Sequence, residues 1–412
     1  MTGWAHTSYA QRIVFGLDAL DSVDEVVKTA GGRRVMLVTT SGRRASGAGE
    51  RLVGLLGRRL VGVFDGVRSH VPTSAVAEAL RLADSLDVDA VVSFGGGSCA
   101  DLAKAVCFFT EQRSGRPGMS YLDRPAVVHV AIPTTYSGAE LTPFFGMTDE
   151  STHRKTGAGG PTIAPVAALY DPVVTLSTPV SVSAETGMNA LAHGVECAYS
   201  PARTPEAEAI ALAAVRRVAA ALPGVVDDPF SLTARSAMLE AAVLGGRCLQ
   251  NATMGAHHGL AQLIGGRTGI AHGLANAILL AHVMRWNTEA IPAEAARIAQ
   301  ALAVGEAERE PGRAAAGRSE TAESGVAATG AGTTGAGTTG ASGAPPTGAA
   351  DAADAVDRLR QRVGLPGRLS EVGVTVEDID AVVRMSASNA NIGNNPRPVS
   401  PDDARAILES AF

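Results

Sequence analysis

Read by the spacing of its apolar residues, the chain changes character once, near its middle. In the first part, short β-branched runs alternate with helical stretches. Residues 33–39 (RRVMLVT), 60–64 (LVGVF), 89–94 (DAVVSF), 126–133 (AVVHVAIP) and 166–171 (VAALYD) read as strands. Between two of them, Val76, Ala79, Leu80, Ala83 and Leu86 recur at helical spacing. That alternation predicts a parallel sheet wound with helices. From Ser183 onward no convincing strand remains and Ala/Leu-rich helical patterns take over, one opened by Thr204-Pro205-Glu206 with proline at the first helical position. The predicted organisation is therefore an α/β domain over residues 1–176 and an all-α domain over residues 177–412.

One stretch interrupts the helical half. Residues 305–350 contain ATGAGTTGAGTTGASGAPPTG, a Gly/Thr/Ala repeat with nothing to bury, which predicts a flexible insertion that carries no site. Helical pattern resumes at about Asp351, and Ser400-Pro401-Asp402-Asp403 caps a last amphipathic helix.

Composition narrows the function classes. Aromatics are only 4% of a chain that is 46% hydrophobic, so the cores must be built from Ala, Val and Leu. A net charge of -6, with no Lys/Arg block longer than a pair, argues against nucleic acid as a partner. Cys99, Cys107, Cys197 and Cys248 lie far apart without a CxxC, which argues against a disulfide framework or thiolate metal site and points to a reducing, cytoplasmic setting. The first residues lack a signal-peptide core, and no uninterrupted apolar run reaches about 18 residues, so no membrane segment is expected.

Two strand ends, two helical stretches and one lysine carry candidate chemistry. In FGGGSCADLAKAV, residues 94–106, consecutive glycines follow a strand and precede a helix, where backbone can approach an anion and free N–H groups can receive a pyrophosphate. Gly95, Gly96, Gly97, Ser98 and Asp101 are the candidate contacts there. At the next strand end, IPTTYSGAE offers the hydroxyls of Thr134 and Thr135. Asn189 and His193 are four apart on a predicted helix and share a face. The stretch Gly255–Asn287 holds four histidines, of which His258 and His272 are separated by fourteen residues and a glycine break. Three imidazoles and one amide oxygen would outline either a polar substrate pocket or a metal site, with asparagine a poor ligand beside a carboxylate. Lys155, in a predicted loop, is the cationic candidate for an acidic substrate.

Taken together, GGGSCADLAKA, IPTTYSGAE, NALAHGVECAYS, HHGLAQLIGG, IAHGLANAILLAHVMRWN and NPRPV resemble, in order, the iron-containing alcohol dehydrogenase family. The resemblance implies a dehydroquinate synthase-like fold: a dinucleotide-binding α/β domain plus a helical domain, with the active site between them and a homodimer as the usual assembly. The family's metal ligands, one Asp and three His, correspond here to Asn189, His193, His258 and His272. Asparagine at the first position, with the His-His pair, RKTG and NPRPV, resembles the maleylacetate reductase branch. That branch implies reduction of a carboxylic-acid substrate by NADH or NADPH, with the metal expected to be absent. A metal-dependent alcohol dehydrogenase acting on an aldehyde or ketone through Fe or Zn is the alternative, and a non-redox or accessory protein retaining the fold a third. Two departures stand out. Gln262 occupies the place of a second family histidine and cannot act as a general acid, leaving His257 as the nearest stand-in. The first strand ends in TTSGRR where relatives carry a ribose-binding Asp, so Ser41 and Arg43 or Arg44 face the cofactor instead, and a 2'-phosphate is permitted.

Overall fold

The structure, a computed structural model, describes residues 9–115, 125–152, 154–309 and 349–412. Its first half is built on a six-stranded sheet of β1 (Arg12–Phe15), β2 (Val35–Val38), β3 (Leu60–Phe64), β4 (Ala90–Gly95), β5 (Val128–Pro133) and β8 (Ala167–Tyr170). The strand order is β1-β8-β5-β4-β2-β3, with every pairing parallel.

Both faces of the sheet are covered, which is why its central strands are largely apolar rather than alternating. Val35, Leu37, Ala90, Val92 and Phe94 pack on one side with helices α1 (Val23–Thr29) and α3 (Gly47–Leu56). Their neighbours Met36, Val38 and Val91 pack on the other with α4 (Thr73–Ser85) and α5 (Gly97–Arg113). Each such buried Val or Leu contributes roughly 1.5–3 kcal/mol. The β4–β5 register pairs Phe94 with Ile132 and Gly95 with Pro133, so the two candidate cofactor loops leave the sheet side by side.

Two features go beyond the sequence pattern. β1 adds an edge strand beside β8, and β6 (Phe144–Asp149) pairs with β7 (Arg154–Gly159) in an antiparallel hairpin. Lys155, expected in a loop, therefore sits on β7 opposite Thr148.

The second half is helical: α7 (Val180–Tyr199), α8 (Pro205–Asp227), α9 (Leu232–Asn251), α10 (Ala256–Thr268), α11 (His272–Asn287), α12 (Pro292–Arg309) and α13 (Ala349–Arg362), followed by shorter C-terminal helices. Thr204 caps α8, and Ser400 with Asp403 forms a capping box on the last helix, Pro401–Ser410. By length and composition α8 would suffice to cross a membrane, but it packs against α7, α9 and α12. Arg217, in its middle, pairs with Glu240 at 2.8 Å. The expected insertion is shorter than 305–350 at both ends, because residues 305–309 complete α12 and helix resumes at Ala349. Residues 310–348 lie outside the described residues. We place the division between the halves in the connector between α6 (Pro172–Thr175) and α7.

Candidate active site

The cleft between the halves is walled on the helical side by α7 and the starts of α10 and α11. Asn189 and His193 lie one turn apart on α7, and both are buried. The His193 and His258 rings stack with centroids 4.8 Å apart, and the His272 ring lies 5.9 Å from that of His258. His193 Nδ1, His258 Nε2 and His272 Nδ1 are buried without a hydrogen-bond partner. Burial holds all three imidazoles below their ordinary pKa, His193 and His272 well below. They are neutral near pH 7.

A carboxylate absent from the sequence reading organises this wall. Glu196, three residues after His193, accepts the backbone N–H groups of Gly255 (3.0 Å), His257 (3.2 Å) and His258 (3.2 Å) at the start of α10. It also pairs with His258 Nδ1. Burial alone would raise its pKa, but the adjacent His258 and His257 hold it well below the usual carboxylate range. A carboxylate at a helix N-terminus is favoured by the free donors and the dipole there. Its consequence is orientation: His258 offers Nδ1 to Glu196 and leaves Nε2 toward the pocket. The signal was present as a helical His-x-x-Glu step into an apolar face.

The sheet side supplies the other wall. Gly95 has φ +150, and a Cβ there would lie 2.5 Å from Cys99 Sγ. A Cβ on Gly96 would meet Thr135 at 3.2 Å and one on Gly97 would meet Ser137 Oγ at 3.0 Å, so the two motifs read separately in the sequence form one cradle. α5 begins there with no side chain capping it, which leaves N–H donors at its N-terminus for an anion. Thr134 Oγ1 is buried without a partner. The cradle fits a dinucleotide's pyrophosphate.

Lys155 approaches from the hairpin. Its side chain is reached by solvent, yet the cleft walls crowd its ammonium enough to lower the pKa, with Asp101 opposing the shift. The same ammonium is close enough to depress His258 and His272 further. His70 is a second group that sequence patterns did not disclose. Its φ is +61 and that of Val71 is +48, a strained pair for non-glycine residues. Val71 O accepts from Thr148 N and His70 O from Thr148 Oγ1, both at 3.0 Å, while His70 Nε2 lies 3.4 Å from Gly269 O in the α10–α11 connector.

Two family models cover nearly all of this architecture. The one described as iron-containing alcohol dehydrogenase matches residues 10–172, and the one described as Fe-containing alcohol dehydrogenase family, C-terminal, matches residues 183–324 and 336–412. The chain belongs to the iron-containing alcohol dehydrogenase family. Membership makes it an NAD(P)-dependent oxidoreductase acting on a small molecule. It is 39% identical over 291 residues to maleylacetate reductase 2 of Cupriavidus pinatubonensis, covering 71% of this chain and 76% of that protein. It is 31% identical over 412 residues to maleylacetate reductase of Rhizobium sp. strain MTP-10005, covering 100% and 98%. The crystal structure of maleylacetate reductase from that Rhizobium strain superposes with a TM-score of 0.77 at 29% identity, covering 100% and 99%.

Within this family fold the expected residues separate into two groups. Asn189, His193, His258 and His272 meet at the cleft, with Lys155 nearby, and Gly95, Gly96, Gly97, Ser98, Thr134 and Thr135 form or border the cradle. His257 does not fill the place of Gln262. It is fully buried, its Nε2 lies 2.9 Å from Asn276 O, and its Nδ1 lies 3.3 Å from His258 Nδ1, so neither nitrogen turns to the pocket. Gln262 itself accepts from Asn391 at 3.1 Å. Asp101 pairs with Lys104 (2.8 Å) and accepts from Gly146 N (3.2 Å), tying α5 to β6 rather than facing a nucleotide. His282, the fourth histidine of the Gly255–Asn287 stretch, contacts Ser410 Oγ at 2.9 Å.

The family's iron can be tested against these donors. The three unpartnered imidazole nitrogens are of the right kind, but the oxygen ligand is not: Asn189 carries no charge, and its Oδ1 already accepts from Asn276 Nδ2 at 2.7 Å. Glu196, His257 and His258 also place donor atoms within 4.8 Å of one another. Both Glu196 oxygens are occupied by the α10 N–H groups, however, and His257 Nε2 by Asn276 O. The first set lacks the carboxylate that divalent iron favours, and the second has its donor atoms engaged within the protein.

Proposed function

We propose that the chain is a reductase of the maleylacetate reductase type, transferring hydride from NADH or NADPH to an unsaturated or keto carboxylic acid without an essential metal. Asn189 carries the reading: an uncharged residue, hydrogen-bonded to Asn276, stands at the family's aspartate position. The relatives named maleylacetate reductase, at 39% and 31% identity, support it.

Bound nicotinamide supplies hydride; the chain's own groups do the rest. The Gly95–Gly97 loop and the start of α5 receive the pyrophosphate, while Thr134 and Thr135 bind on the neighbouring strand edge. Lys155 receives a substrate carboxylate. Hydride adding to a carbon conjugated with the ketone leaves an enolate, whose charge the Lys155 ammonium offsets. A proton taken up from solvent by the adjacent carbon completes saturation of the double bond. Glu196 keeps the His258 ring aligned throughout.

Stopped-flow loss of NAD(P)H absorbance on adding maleylacetate and related acids is the test. Turnover is expected; absence of both turnover and cofactor binding would overturn the reading. The unpartnered imidazole nitrogens favour one other reading, a metal-dependent alcohol dehydrogenase. Elemental analysis of protein purified without chelator separates the two, stoichiometric metal with activity lost on chelation favouring the second. A homodimer in a cytoplasmic setting belongs to the same proposal and is checked by light scattering and fractionation.

A further inference from the structure

Saturating a conjugated double bond needs a proton at the carbon beside the ketone, and the groups placed at the cleft so far do not carry one. His193, His258 and His272 are held neutral by burial. Both nitrogens of His257 are engaged, and the Gln262 amide is no general acid. Lys155 has to keep its charge to offset the enolate. One imidazole near the cleft is left without a role, that of His70.

The loop between β3 and α4 holds that ring in a conformation the chain would not adopt alone. His70 and Val71 are consecutive non-glycine residues with positive φ, the second of them β-branched. β6 imposes the strain, since Thr148 donates to the carbonyls of both residues while the Val71 side chain is buried. Thr148 is also the residue that stands opposite Lys155 across the β6–β7 hairpin. Directly opposed residues of an antiparallel pair share a face, so one threonine ties His70 to the position that carries Lys155. From there the ring reaches the helical half: its Nε2 lies 3.4 Å from Gly269 O, and a Cβ on Gly265 would stand 3.8 Å from its Cε1. Three residues beyond Gly269 the chain enters α11 at His272. The ring spans the cleft and, being only half-buried, stays within reach of solvent.

Burial and the Lys155 charge both hold His70 below its ordinary pKa, so without substrate it is neutral near pH 7. The neighbouring arginines each have a carboxylate partner, Arg68 in Glu150 at 3.9 Å and Arg267 in Asp378 at 2.9 Å. An acid bound at Lys155 reverses the balance. Its carboxylate cancels the ammonium, and the enolate adds a further negative charge, both of which favour an imidazolium at His70.

We propose that His70 is the general acid of the reduction, passing to the carbon beside the ketone a proton that it draws from solvent. The hydride of NAD(P)H forms the C–H bond at the far carbon of the double bond, and the π pair moves to the ketone oxygen as enolate. Collapse of the enolate takes the His70 proton, leaving neutral imidazole, NAD(P)+ and the saturated keto acid. The inference rests on the reductase reading above.

Steady-state kinetics of the full chain with maleylacetate and NAD(P)H test it. His70→Gln keeps an amide donor toward Gly269 O but has no acidic proton. Its kcat should fall roughly a hundredfold, while NAD(P)H affinity by fluorescence titration stays within about twofold and the melting temperature is unchanged. His70→Ala should lose as much, and added imidazole should raise its rate at least about fivefold while leaving the wild type unaffected. Wild-type activity in His70→Gln would overturn the proposal and leave His70 a strut between the halves. So would an alanine variant that folds and binds NAD(P)H but does not respond to imidazole. A parallel loss of NAD(P)H affinity would assign His70 to the cofactor instead. Failure of the wild type to oxidise NAD(P)H with maleylacetate or related acids would remove the reductase reading itself, a result distinct from any behaviour of the His70 variants.

Discussion

Asn189 and Glu196, seven residues apart on α7, divide between them the work of one metal-binding carboxylate. The first faces the cleft without charge; the second is charged but turned toward the α10 backbone. Asn189→Asp would put a carboxylate among His193, His258 and His272, and Zn(II) or Fe(II) affinity, followed by calorimetry, should rise by roughly tenfold or more. An unchanged affinity would mean that these four positions do not share a pocket. Glu196→Gln removes the charged acceptor of three N–H groups and should cost about 3 kcal/mol in urea unfolding, since the stranded donors are buried. The sequence disclosed the histidines because their density is unusual. It did not disclose Glu196, whose role depends on a contact with His258 sixty-two residues away.

At the scale of elements, legibility followed packing symmetry. β2, β4, β5 and β8 are covered on both faces, so their sequences are apolar runs, interrupted at Ser93 and His129, that announce a buried strand. The β6–β7 hairpin has no such pattern, since RKTGAG is polar and glycine-rich. It is held instead by α5, whose buried Lys104 donates to Phe144 O, Thr142 Oγ1 and Ala139 O. Without that contact Lys155 reads as a loop residue. β5 carries a further cost of burial: His129 lies inside the sheet with Nε2 2.8 Å from Ser93 Oγ, and burial drives its pKa down to about 3. The unfolded chain takes up this proton near pH 6.5 and the folded one does not until about pH 3, so its contribution is complete above 6.5 and drains away as pH falls. Between pH 6.5 and 5 this one group should cost the wild type roughly 2 kcal/mol of stability. His129→Gln should flatten that part of the curve, measured as urea midpoints across the range; an unaltered slope would mean the site admits a proton or water.

Across the whole molecule, the two halves meet where backbone touches backbone: a Cβ on Gly138, at φ +75, would lie 2.8 Å from Gly246 Cα on α9. The active site therefore depends on how α7, α9, α10 and α11 stand against the sheet, and hardly at all on what joins α12 to α13. Those two helices pack on each other and on α8, with Ile298, Leu302, Val356 and Leu359 in the helical core, so each is placed by burial rather than by its connection. The connecting sequence at 310–348 is rich in Gly, Thr and Ala. Closing a shorter loop is favourable, but only by about 0.6 kcal/mol for each halving of length. Replacing residues 310–348 with a short Gly/Ser linker should accordingly leave kcat/KM within about twofold and raise the urea midpoint slightly. A large loss of activity with the midpoint preserved would show that the segment reaches the cleft or a second subunit's cleft, and would assign a function to the one stretch whose composition argued for none.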